Sequence, residues 1–301
     1  MSRVFVALSA LCWGLSGGIG GILISEGWDP FVVAFYRGVI GLLFTILCLA
    51  LRPQKSGLGT PRLWFWSAIA GVGVAGNFSF YSLSIAHGSV AVAATLMYCA
   101  PVFVYLISFA LRIEHSTPTK WAAIAVVMLG IVLLTRVYEI DAGVVTLVGI
   151  GAGLFSGLSY AVFIFGLKYA APHGSPQAIL VVAFSALVAL LLWPADAQQM
   201  SAVFGSSHWP LFASLGILGA GLSFLLYVVG LNYTAPSVAS IVAMVEPVTA
   251  SLFGVLILNE RLKGVQIIGM GLILLTVTAI SVYSSAPAGA RSVESRRSAL
   301  R

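Results

Sequence analysis

Charge is scarce in this chain. Only 8% of its 301 residues are Asp, Glu, Lys or Arg, against about 25% in a soluble domain, too few to cover a water-facing surface. Cysteine is scarcer still. Cys12, Cys48 and Cys99 all sit inside apolar runs with no redox or metal spacing, which excludes a disulfide framework and reads as three inert thiols. The four histidines, His87, His115, His173 and His208, fall in loops or at helix ends and read as solvated. No Walker loop, HExxH or His/Cys/Asp cluster is present, so neither an enzyme nor a bound metal or cofactor is expected. The net charge of +6 is no nucleic-acid footprint, because the basic residues flank apolar runs or crowd the C-terminal tail. A cleavable leader is not expected either: the first apolar run is too long and glycine-rich for one.

What the chain has is hydrophobic length. Sixty per cent of it is hydrophobic and the mean hydropathy is +1.06. A helix crossing a bilayer needs about 20 largely apolar residues. Ten stretches qualify: 3–25, 30–51, 62–86, 89–111, 119–137, 143–168, 176–194, 209–232, 236–258 and 264–284. Pro30, Pro176, Pro210 and Pro236 stand at helix starts, where a missing N–H does least harm. Asp29, Ser89 and Ser175 are placed to cap. Residues around 195–208 read as a polar connection, and 286–301 as a basic, disordered tail. The expected class is an all-α, multi-pass protein of the inner (plasma) membrane, with the lipid bilayer as its main surroundings.

Basic residues orient such a bundle. With the N-terminus in the cytoplasm, Arg3, Arg52, Lys55, Arg62, Arg112, Lys120, Lys168, Arg291, Arg296, Arg297 and Arg301 fall inside. Only Arg136, Arg261 and Lys263 fall outside. Both termini are therefore expected in the cytoplasm. The halves also repeat. Gly14-Leu15-Ser16 matches Gly157-Leu158-Ser159, and Ser89-Val90-Ala91 matches Ser237-Val238-Ala239. Pro101 precedes Glu114 by thirteen residues, as Pro247 precedes Glu260. This divides the chain into residues 1–137 and 138–285, each of five helices. Five is odd, so the second repeat must lie inverted. Inverted repeats are the architecture of secondary transporters, with the site near the midplane between them.

Two charges lie deep in the expected spans, Arg37 and Glu246. By helical rise they sit about 10 Å and about 18 Å below the outer face, within reach of one long side chain. They read as an intramembrane charge pair, or as groups bonded separately to backbone carbonyls. Alternatively Glu246 is a proton or substrate-ammonium site. Around them, Trp13 and Ser16, then Asn77, Phe78 and Tyr81, share helix faces. So do Ser156, Ser159, Tyr160 and Phe163, and Ser223 with Tyr227; Tyr98 sits mid-helix. Each alone reads as interhelical packing. Together they read as one amphipathic substrate cavity. Gly14/Gly18, Gly17/Gly21, Gly149/Gly153 and Gly153/Gly157 read as close-packing pairs. Pro101 and Pro247 are expected to kink their helices at matching positions.

The arginine early in the second span and the Pro-then-Glu pattern ending the fourth and ninth resemble the drug/metabolite transporter superfamily, in its EamA-type ten-helix branch. The stretch Glu246-Pro247-Val248, running to Leu258-Asn259-Glu260-Arg261-Leu262, is the most specific part, and the resemblance covers about residues 5–284. It implies an exporter or exchanger of small metabolites, with the first, third, fourth, sixth, eighth and ninth helices around a central cavity. Exporters of amino acids, including aromatic ones, suit an aromatic and weakly charged cavity. A sugar-phosphate, nucleotide-sugar or drug carrier is the alternative within the superfamily, and a channel or structural membrane protein the alternative outside it. The sequence is compatible with a monomer. One departure stands out: Cys99-Ala100-Pro101 replaces a carboxylate in the first repeat.

Overall fold

Asp29 shows how this chain starts its helices: its side chain accepts from the backbone N–H groups of Phe31 and Val32, and Pro30 occupies the first turn. Ser89 and Ser175 cap their helices the same way. In the computed structural model, which describes residues 2–52, 56–141, 143 and 145–283, this punctuation delimits a helical bundle. Lys55 and the basic tail at 286–301 lie outside the described residues.

The first half contains α1 (Ser2–Ser25), α2 (Pro30–Leu51), α3 (Pro61–Ala86), α4 (Val90–Met97), α5 (Ala100–Ala110) and α6 (Pro118–Thr135). The second contains α7 (Leu147–Ala170), α8 (Pro176–Leu191), α9 (Ala197–Ala202), α10 (Trp209–Gly216), α11 (Ser223–Asn232), α12 (Pro236–Ala243), α13 (Val245–Ile257) and α14 (Gly264–Tyr283). A wide π turn, Ile217–Leu222, joins α10 to α11. Counting α4–α5, α10–α11 and α12–α13 as single rods, nine helices among the described residues are long and apolar enough to cross a membrane. The seventh stretch yields only the 16 residues of α8, because Pro194 pushes the residue before it out of helical geometry. The connection at 195–208 is not plain coil. Asp196 caps α9 by accepting from Gln198 and Gln199.

Loops and helix ends meet in two groups. At one, Arg3 donates to the Ser281 carbonyl, Ser175 N–H to the Ser56 carbonyl at 3.0 Å, and Lys168 Nζ to the carbonyls of Leu231, Asn232 and Thr234. At the other, the Asp29 N–H donates to Gln199, Trp28 to His208, Thr146 to the His87 carbonyl, and Lys263 pairs with Glu139 at 3.3 Å. Between them α3 lies along α7, α1 along α11 and α13, α2 along α8 and α6 along α14. Glycine permits the closest of these approaches. A Cβ on Gly73 would stand 2.6 Å from the Phe163 nitrogen, and one on Gly166 2.7 Å from the Ala70 nitrogen.

Candidate functional site

Two rods are interrupted mid-bundle. Pro101 and Pro247 lack an N–H, so the carbonyls four residues earlier lose their helical partner. The chain responds with tighter bonds, Cys99 N–H to Leu96 and Met244 N–H to Ile241. The breaks fall at Tyr98–Cys99 and at Met244. The second brings Glu246 into the first turn of α13, where the helix dipole favours a carboxylate.

Arg37 and Glu246 do not form an ion pair within 4 Å among the described residues, which corrects the paired reading. Arg37 donates instead through Nε and Nη2 to the Gly219 carbonyl at 3.0 and 2.7 Å. Its guanidinium also stands 5.0 Å over the Phe78 ring. The reason is the π turn: its widened backbone offers a carbonyl nearer to the arginine than the carboxylate is. The glycine is needed there, since a Cβ on Gly219 would lie 2.5 Å from Ser16 Oγ and 2.9 Å from Arg37 Nε. The two charges still feel each other, and the field of Glu246 also reaches Tyr81, Tyr98, Tyr160 and Tyr227.

The inner wall is aromatic. Trp13 lies 4.9 Å from Tyr227, 5.0 Å from Phe224, 6.2 Å from Phe163 and 6.3 Å from Tyr160, measured between ring centroids. Its polar atoms are unsatisfied: Trp13 Nε1, the Tyr160 and Tyr227 hydroxyls, Ser223 Oγ and Glu246 Oε2 are buried with no partner among the described residues. The Tyr160 hydroxyl approaches Glu246 without the geometry of a formed bond. Buried polar atoms are ordinarily bonded, which sets this group apart.

Four expected members turn elsewhere. Asn77 Nδ2 donates to the Ser156 carbonyl and hydroxyl at 3.1 and 3.0 Å, and Ser156 returns a bond to the Asn77 carbonyl. Both side chains are consumed at the α3–α7 contact. Ser16 is fully buried and donates to its own helix at the Trp13 carbonyl. Ser159 stays half-buried against Gly76. Two contributors lay outside the sequence reading. Phe224 shares a helix face with Tyr227 and could have been found that way. The Gly219 carbonyl could not, since a side-chain reading is blind to backbone acceptors.

Access is uneven. Along α3 the face from Phe78 through Tyr81 to Ile85 is half-exposed, whereas Val74, Gly71 and Ala70 below it are buried. Every residue of α12 is buried. At that closed end, burial raises the Glu114 carboxyl, but the hydrogen bonds from Lys120 and Ser237 and the charge of Lys120 together hold it below the usual carboxylate value. Among the described residues no cluster of three His, Cys, Asp or Glu is placed to hold a metal.

Residues 2–136 and 147–282 match the EamA-like transporter family. The chain is 29% identical over 279 residues to an uncharacterized transporter of Archaeoglobus fulgidus, covering 89% of this chain and 92% of that one. It is 28% identical over 268 residues to the threonine/homoserine exporter RhtA of Escherichia coli K12, covering 85% and 84%. A protein of known crystal structure shares the fold with a TM-score of 0.73 at 20% identity, over 93% of this chain and 96% of that one.

Proposed function

Because the chain belongs to the EamA-like transporter family, and is thus a multi-pass transporter of the inner membrane, we propose that it exports or exchanges small amphipathic metabolites by alternating access. Amino acids, aromatic ones included, are the substrates the cavity suits. The observation that carries this is the pairing of opposite charges held apart. Arg37 is anchored through two of its donors, which leaves Nη1 for a carboxylate. Glu246 Oε2 is unpartnered and suits an ammonium. Trp13, Phe163, Phe224 and Tyr227 form an apolar wall between α1, α7 and α11 for the side chain. The similarity to an exporter of threonine and homoserine points the same way. A sugar-phosphate carrier would want more cations than Arg37 supplies.

The reading includes ten crossings in two inverted repeats, 1–137 and 138–285, with both termini cytoplasmic. Three features support it. Ser175 before α8 meets Ser56 at one end, and Gln199 after it meets Asp29 at the other, so even the short helix runs from end to end. Helix contacts also survive an exchange of halves: α3 on α7 corresponds to α1 on α11, and α1 on α13 to α7 on α5. The family match falls in the same two stretches.

Counterflow in proteoliposomes, with a panel of labelled amino acids against sugar phosphates, tests the substrate class. Amino-acid exchange is expected, and Tyr98→Ala should reduce aromatic exchange several-fold more than it reduces protein abundance. Exchange of phosphates alone, or equal losses of abundance and exchange in that variant, would overturn the assignment.

A further inference from the structure

The transporter reading leaves out the most tightly held carboxylate among the described residues. Glu114 lies in the loop between α5 and α6. It accepts from Lys120, from the Ser237 hydroxyl and, at 3.2 Å, from the Ser237 N–H. Ser237 stands in the first turn of α12, whose cap residue Ala235 has no side chain to offer. A residue of the first half thus caps a broken helix of the second, at the end where α12 is wholly buried.

Its counterpart is Glu260, at the opposite end. The two loops fold alike: the Glu114 N–H donates to the Ser108 carbonyl and the Glu260 N–H to the Gly254 carbonyl. Exchanging the halves carries Glu114 to Glu260 and Ser237 to Ser89, the cap of α4. Yet Glu260 is exposed and folds back over Gly254, with no side-chain hydrogen bond among the described residues. Ser89 caps its own helix through the Val92 N–H at 3.2 Å. One of two equivalent interactions is made and the other is not, and the unmade one lies at the accessible end.

We propose that Glu114 and Glu260 are alternating latches. Glu114 on α12 holds the closed end seen here, and Glu260 on the start of α4 closes the opposite end once Glu114 has let go. The proposal rests on the alternating-access reading. Both are positioning residues, remote from the substrate, that set which end of the cavity is shut.

The test reads the two ends separately. In a background with Cys12, Cys48 and Cys99 replaced, single cysteines at Val238 in α12 and at Ile85 in α3 report N-ethylmaleimide reactivity of the detergent-solubilised protein. Glu114→Gln should raise the Val238→Cys rate and lower the Ile85→Cys rate. The change should be about tenfold, the scale of one charge-assisted hydrogen bond lost from one of two states. Glu260→Gln should move both reporters the other way. Should Glu114→Gln not fold, Ser237→Ala removes the hydroxyl bond and leaves the Lys120 pair, and should act in the same direction as Glu114→Gln. Reporters moving together in both Gln variants, or unmoved in folded protein, overturn the latches. Labelling needs no substrate, so failed counterflow by the wild type would sink the transport reading while leaving this pattern to be read.

Discussion

Arg37 and Glu246 divide the work that a salt bridge would have combined. An ion pair would neutralise both, leaving little attraction for a zwitterion. Anchoring the arginine on the Gly219 carbonyl keeps the two opposite charges apart. This makes their substitutions unequal. Glu246→Gln removes a charge whose Oε2 has no partner, so the variant should stay folded with near-normal thermal stability. Its amino-acid counterflow should fall about tenfold or more, the scale of a hydrogen bond to a charged group. Arg37→Lys keeps the charge but cannot reproduce the two-nitrogen grip, and should lose both stability and transport. Thermal unfolding measured beside counterflow checks both; a Glu246→Gln protein that unfolds early would restore the structural pair.

At the scale of helices, glycine spacing separates into contacts and open space. Gly14 and Gly17 both begin small-xxx-small pairs in the sequence, yet only one faces a neighbour. A Cβ on Gly14 would lie 2.5 Å from Thr249 Cβ and 2.6 Å from the Glu246 carbonyl, whereas nothing lies within 4 Å of one on Gly17. Gly14→Leu should therefore destabilise the solubilised protein by about 1–3 kcal/mol, through overpacking of α1 on α13. Gly17→Leu should be close to neutral. Unfolding midpoints for the two variants, compared directly, decide it; equal effects would mean the α1–α13 approach is misplaced. The spacing could show that α1 packs closely, but not which side does so, because both pairs have the same period. Asn77 and Ser156 hid for a related reason: amide and hydroxyl on facing helices look alike whether they bind each other or a ligand.

Across the whole molecule, most of the fold was legible because lipid imposes so few solutions. Apolar length located the rods, and Pro30, Ser89 and Ser175 marked starts that the structure keeps. Hydropathy was blind where backbone geometry decided the outcome: α8 stopping short of Pro194, α9 capped by Asp196, and the π turn. The proposed side of the membrane for each end rests on basic residues alone. A cysteine at Lys263 should react with an impermeant thiol reagent from the periplasm, and one at Arg52 should not. The reverse labelling would invert the bundle.

The π turn at Ile217–Leu222 has an arithmetic consequence. One extra residue in a helical turn rotates everything after it by about 100° relative to what precedes. Residues before and after the turn therefore belong to two different helical wheels, and a stripe drawn through Phe212 and Leu215 does not continue to Phe224 and Tyr227. Deleting one residue between Leu218 and Gly221 would let the rod wind as ordinary α-helix. Tyr227 and Phe224 would then swing about a quarter turn away from Trp13 with no substitution at any of the three. A relative lacking that one residue would align well on both flanks and still present a different wall to its cavity.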